Sequence, residues 1–147
     1  MRIFITATTL IILFHSCYTS STSIRPTFRD SIPITSFCNL PKHSNQLVFV
    51  KALYSGIDEY WSLRSVDKKC SDLKVNLEYA GPSRFNSAPP KYDSLFRYVS
   101  ENYHKTYLLL ELVGKFDNSN KEGYGHMNYN NSRFIVSEIV SASMLQK

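Results

Sequence analysis

Five stretches of this chain carry the signals of strands, and one stretch, between the third and the fourth, switches to the period of a helix. Gln46 to Tyr54 (QLVFVKALY) sets Val48, Val50, Ala52 and Tyr54 on one side. Leu47, Phe49 and Leu53 lie on the other, interrupted by Lys51. Two largely apolar faces mark a central strand. Ser55-Gly56-Ile57-Asp58 reads as a turn, and Glu59 to Val66 (EYWSLRSV) returns to complete a hairpin. Lys74 to Tyr79 alternates cleanly, with Val75, Leu77 and Tyr79 inward. Gly81, Pro82, Pro89 and Pro90 impose a loop over Ala80 to Pro90. Tyr92, Leu95, Phe96, Val99 and Tyr103 then fall at helical spacing, with Asp93 as the expected N-cap. His104 to Asp117 contains YLLLELVGKF, the strongest strand, with Leu108, Leu110 and Leu112 on one face. Asn118 to Asn131 is a polar, Gly-bearing loop, and Arg133 to Met144 supplies a last strand.

That order predicts a mainly β fold: a five-stranded barrel like those of oligonucleotide/oligosaccharide-binding (OB) domains, with one helix between strands 3 and 4 plugging a barrel end. Closure leaves no spare edge strand. An open α+β sheet uses the same elements and is the alternative. The 147 residues leave room for one domain, and ten Tyr and nine Phe favour strands over disorder.

The N-terminus carries a different message. Arg2 precedes an uncharged, largely apolar run from Ile3 to Phe14. A spanning helix needs about 20 apolar residues, so the run has the length of a signal-peptide core instead. Residues 1 to 16 are expected to be a signal peptide. Phe14-His15-Ser16-Cys17 resembles a bacterial lipobox, in which the Cys becomes diacylated and is left as the new N-terminus. Ser16 fits that pattern, whereas His15 and Phe14 depart from it. Simple secretion, with cleavage near Ser16 or among the Ser and Thr that follow, is the alternative. Residues 17 to 36, rich in Ser, Thr, Ile and Pro and interrupted by Pro26 and Pro33, read as a flexible tether. The barrel domain is then 37 to 147.

Cysteine counting joins the two halves. There are three cysteines, Cys17, Cys38 and Cys70. An odd thiol is awkward in an oxidising compartment. With Cys17 lipidated or removed, Cys38 and Cys70 remain to form one disulfide. Their spacing has no CxxC character, so a zinc site or a thioredoxin-type redox role fits poorly.

Several segments resemble a family of small exported bacterial domains of unknown function with an OB-like pattern. They are SFCNLPKHSNQLVFVKALY, KKCSDLKVNLEY, VGKF, and GYGHMNYNNSRFIVSEI, within residues 37 to 140 or so. A Gly usual in that family close to the first strand is absent, and Gln46 follows Asn45 instead. The resemblance implies export and fold; none of its motifs is catalytic.

No chemistry-bearing constellation stands out. There is no GxSxG elbow and no HExxH pair. His43, His104 and His126 are isolated, so no metal site and no cofactor is expected. His126 follows Gly123-Tyr124-Gly125 in a loop, where a hydrogen bond to a carbonyl or carboxylate is its expected role. Convergence of His126 with Asp117 or Glu122 in a cleft would instead favour an enzyme. Asn130-Asn131-Ser132 matches the glycosylation acceptor pattern, which carries no meaning in a bacterial chain.

Tyr60, Trp61 and Arg64 in the second strand, Tyr107 across the sheet with Lys115, and His126 are the candidate ligand-binding residues. A formal net charge of +5 with scattered basic residues is no nucleic-acid footprint, and no nucleic-acid partner is expected. The expectation is a non-enzymatic binding or accessory domain of the bacterial cell envelope. A lipid on Cys17 anchors it to the membrane, and it faces a glycan, peptide or protein partner. A freely secreted inhibitor or effector is the alternative.

Overall fold

A computed structural model of the chain describes residues 31–67, 69–80 and 89–147. The expected signal peptide, the expected lipid attachment at Cys17 and most of the expected tether lie outside these residues.

Six strands form one sheet: β1 (Ile34–Thr35), β2 (Leu47–Ile57), β3 (Tyr60–Arg64), β4 (Val75–Tyr79), β5 (Thr106–Asp117) and β6 (Ser132–Gln146). The strand order is β1-β2-β3-β4-β6-β5, and β2 also pairs with β5. That last pairing, antiparallel from Leu47↔Lys115 to Tyr54↔Leu108, closes β2 to β6 into a five-stranded barrel. β4 and β6 run parallel, and the other barrel pairs run antiparallel. Among the described residues there is one α-helix, α1 (Asp93–Glu101), which follows a 3-10 turn at Pro90–Tyr92 and precedes β5 in the chain.

The alternation read from the sequence is the alternation of burial. Val48, Val50, Ala52, Leu63, Val75, Leu108, Leu110, Leu112, Phe116 and Phe134 are fully buried. One continuous core joins them to Val99 of α1 and to Phe37 and Leu40 of the 3-10 segment Phe37–His43. Burying each such side chain contributes roughly 1.5–3 kcal/mol, opposed by the entropy of ordering it. β6 breaks strict alternation. Its register against β5 shifts between Leu112↔Ile139 and Glu111↔Ser141, and again between Gly114↔Val136 and Val113↔Glu138. The two extra residues are bulges that bend the long strand around the barrel.

Three local expectations change. Residues 32 to 35 belong to the packed structure and not to the tether. Ile34 and Thr35 pair in parallel with Phe49 and Val50 as β1, and Ile32 is buried. The cause is the apolar outer face of the barrel, where Ile32, Phe49, Val113 and Val140 lie together. The hairpin turn falls at Asp58–Glu59, not Ser55 to Asp58, because Ser55, Gly56 and Ile57 pair with Ser62, Trp61 and Tyr60. Asp58 takes up the positive φ, 52°, that the tight turn demands. Asp93 is the first helical residue and does not N-cap α1; Tyr92 occupies that position without a side-chain hydrogen bond. The Asp93 carboxylate still stands in the first turn, where the partial positive charge of a helix favours it.

Cys38 and Cys70 are joined by a disulfide with Cα atoms 5.6 Å apart. It ties the Phe37–His43 segment to the β3–β4 connection. Elsewhere Arg133 on β6 links three strands, with Nη2 2.9 Å from Asp117 on β5 and Nη1 3.1 Å from Glu78 on β4. The backbone N–H of Ser119 donates to the buried Asp117 carboxylate at 2.8 Å, and this bond, with help from Arg133, holds the carboxyl down to about 2.

Candidate functional site

Aromatic and polar side chains gather where α1 faces the barrel. A hollow of about 470 Å³ lies between the helix, strands β2 to β4 and the β5–β6 loop. One wall is aromatic. Tyr54 stands 5.2 Å from Trp61 and 5.5 Å from Phe96, ring centre to ring centre, tilted against each. Local sequence explains how Trp61 holds its place. A side chain at Gly56, its partner on β2, would put a Cβ 2.7 Å from the indole, so only glycine lets the ring lie on the strand. The indole Nε1 donates to the Asp58 carbonyl at 2.6 Å, pinning the ring to the hairpin turn.

The other wall is polar. Asp93, Arg97 and Ser100 descend one stripe of α1 at spacings of four and three, and all three are exposed. Glu59, Asn76 and His126 complete the rim. His126 Nδ1 lies 2.9 Å from a Glu59 carboxylate oxygen, so the β2–β3 turn and the β5–β6 loop are clasped together at the edge of the hollow. The expected hydrogen-bonding role of His126 is met by a carboxylate 67 positions away in the chain, not by Asp117 or Glu122. Gly125 makes that geometry possible. Its φ is 77°, and a Cβ there would come within 2.9 Å of the Asn76 side chain. The loop is stiffened by Tyr124 and Asn130, which exchange backbone hydrogen bonds, and by Asn130 Nδ2, which donates to the Trp61 carbonyl at 3.1 Å.

Two tyrosines report how dry the inner part of the hollow is. Burial pushes the Tyr54 hydroxyl up from 10 to about 12, and burial with the neighbouring Tyr54 pushes Tyr79 higher still. The Tyr79 hydroxyl is buried and has no hydrogen-bond partner among the described residues. An unmet hydroxyl of this kind costs roughly 1–3 kcal/mol, which a polar ligand group would relieve. Because both folded values are raised, the stabilising effect of keeping these phenols neutral is complete below pH 10 and lost as pH rises through their folded values. In a spectrophotometric titration Tyr54 should ionise near pH 12 and Tyr79 later still, and Tyr54→Phe should remove the earlier of the two. Uniform ionisation near pH 10 would contradict this burial.

The five residues singled out for ligand binding do not form one patch. Trp61 and His126 border the hollow. Tyr60 points to the outer surface, edge-on to His126 at 5.4 Å and to Tyr129 at 5.2 Å, with the Lys74 ammonium 4.2 Å above the Tyr129 ring. Arg64 and Tyr107 border a separate hollow on the barrel's outer face. Lys115 joins neither, being eight residues along β5 from Tyr107, or roughly 26 Å of strand. The sequence reading missed Tyr54, Asn76, Tyr79, Asp93, Arg97 and Ser100. For the helical three a signal existed, since their spacing marks a single polar stripe beside the apolar one. The chain matches no protein-family model, no curated protein and no solved structure.

Proposed function

We propose that this chain is an exported binding domain of the OB class, non-enzymatic, that holds a short glycan in the hollow between α1 and the barrel. The observation that carries the reading is the pairing of an aromatic wall (Tyr54, Trp61, Phe96) with a facing row of hydrogen-bonding groups (Asp93, Arg97, Ser100, Asn76). A sugar ring presents apolar C–H faces and a belt of hydroxyls, and such a site offers something to both. The unpartnered Tyr79 hydroxyl adds a buried group that a sugar hydroxyl can satisfy. The strand order β2-β3-β4-β6-β5, closed by β2 against β5, supports the OB assignment, with α1 as the plug of one barrel end.

Export rests on the leader and on the cysteines. A Cys38–Cys70 bridge persists in an oxidising compartment, and it leaves Cys17 over for a lipid that anchors the domain to the bacterial envelope. Growth with a clickable fatty acid should label the protein, and Cys17→Ser should abolish the label; a label that survives the substitution rejects the anchor.

Calorimetric titration with short oligosaccharides tests the site. Saturable binding is expected, weakened about tenfold by Arg97→Ala and by Phe96→Ala, each a loss of about 1.4 kcal/mol. Binding that is unchanged in both variants, while their folds are intact by circular dichroism, would place the ligand elsewhere.

A further inference from the structure

The second hollow lies on the opposite side of β3. Trp61 and Arg64 are three positions apart on one strand, so their side chains leave opposite faces of the sheet. This hollow measures about 520 Å³ and is bounded by β2, the disulfide-bearing connection after β3, and the end of β6. We infer that it is an anion site, built for an oxyanion carried as a phosphate or sulfate ester.

Its lining is one-sided in charge. Arg64 and Lys147 both border it, and among the described residues no Asp or Glu side chain does. Arg64 is held by its own strand, because Nε donates to Ser62 Oγ at 3.3 Å. Among the described residues its guanidinium has no carboxylate partner, so both terminal amino groups are free to present the planar fork that matches an oxyanion. The nearest acid in sequence, Asp67, is already engaged by Ser65 and by Lys69, whose Nζ lies 3.4 Å away. The Lys147 ammonium donates to the Tyr103 carbonyl, which fixes the second cation at the rim.

Neutral donors surround the cations. Ser55, Ser71 and Tyr107 line the hollow, and among the described residues none of their hydroxyls has a hydrogen-bond partner. Leu53, directly opposite Arg64 in the β2–β3 ladder, and Cys70 supply an apolar wall. Charge-assisted hydrogen bonds are stronger beside such a wall than in open water. The register sets the distances: Leu53 faces Arg64 on β3 and Leu109 on β5, two residues from Tyr107, so three strands deliver one donor set.

The test uses the full folded domain and amide NMR at constant ionic strength. Titration with inorganic phosphate, and separately with sulfate, should give saturable shifts at residues 55, 64, 71 and 107. Chloride should give none. Arg64→Gln should weaken binding about tenfold or more, and Lys147→Gln severalfold. Because Arg64 is exposed, the melting temperature of Arg64→Gln should stay within about 2 °C of the parent. Two further probes separate the sources of such an ester: a soluble sugar phosphate, and vesicles containing phosphatidylglycerol. An Arg64-dependent response to either one supports the site and identifies its ligand as soluble or as a lipid headgroup. Shifts that are linear, equal in chloride, or unchanged by Arg64→Gln overturn it. The glycan reading is judged apart, since Arg97→Ala should leave phosphate binding untouched.

Discussion

Replacing Cys38 and Cys70 together with alanine should lower the stability of the domain by about 3–4 kcal/mol and its melting temperature by roughly 10–20 °C. The two cysteines are 32 positions apart, and the chain between them includes all of β2 and β3. Opening that loop returns its closure entropy to the unfolded chain. A local loss adds to it. Cys70 packs against the core, and the two cysteines sit in a 3-10 segment and a turn that no ladder of strand hydrogen bonds secures. Thermal unfolding of the oxidised protein and the double variant measures the difference. Equal midpoints would mean that the barrel alone holds these segments.

Phe134→Ala should cost about 3–5 kcal/mol in urea denaturation, the largest effect expected of any single substitution in the barrel. Phe134 and Phe116 are directly paired across β5 and β6, and both are fully buried. The Phe134 ring also lies over Gly114, where an added Cβ would come within 2.6 Å of it. Truncation would open a void that a closed barrel cannot collapse to fill. As a control, Ser143→Ala on the exposed end of β6 should change stability by less than about 0.5 kcal/mol. A loss below about 1 kcal/mol for Phe134→Ala would show that the strand pair is looser than the full burial of both rings implies.

Strand faces were legible because burial follows a period of two wherever a strand is regular, as with Leu108, Leu110 and Leu112 on β5. An element that depends on a partner far away in sequence leaves no such mark. β1 exists because the outer surface around Phe49 and Val113 is apolar enough to bind it, a property of the assembled sheet and not of residues 32 to 35. The bulges in β6 are likewise invisible until β5 is laid against it.

The candidate site divides in the same way. Tyr60 and Trp61 are neighbours on a strand, so a period of two alone already assigns them to opposite faces. The Asp93, Arg97, Ser100 stripe was equally readable. The Glu59–His126 clasp was not, since it needs a two-residue turn and a glycine-bent loop to meet. Arg64 and Tyr107 share a hollow only through the register of three strands.

Trp61 is the sole tryptophan of the chain, and it stands in the wall of the proposed glycan site, so its fluorescence reads that site without a label. A saturable change in its emission as a bound oligosaccharide is titrated, lost in Arg97→Ala at the same concentrations, is the predicted result. Binding detected by calorimetry while the Trp61 emission stays flat would contradict the placement of the ligand between α1 and the barrel.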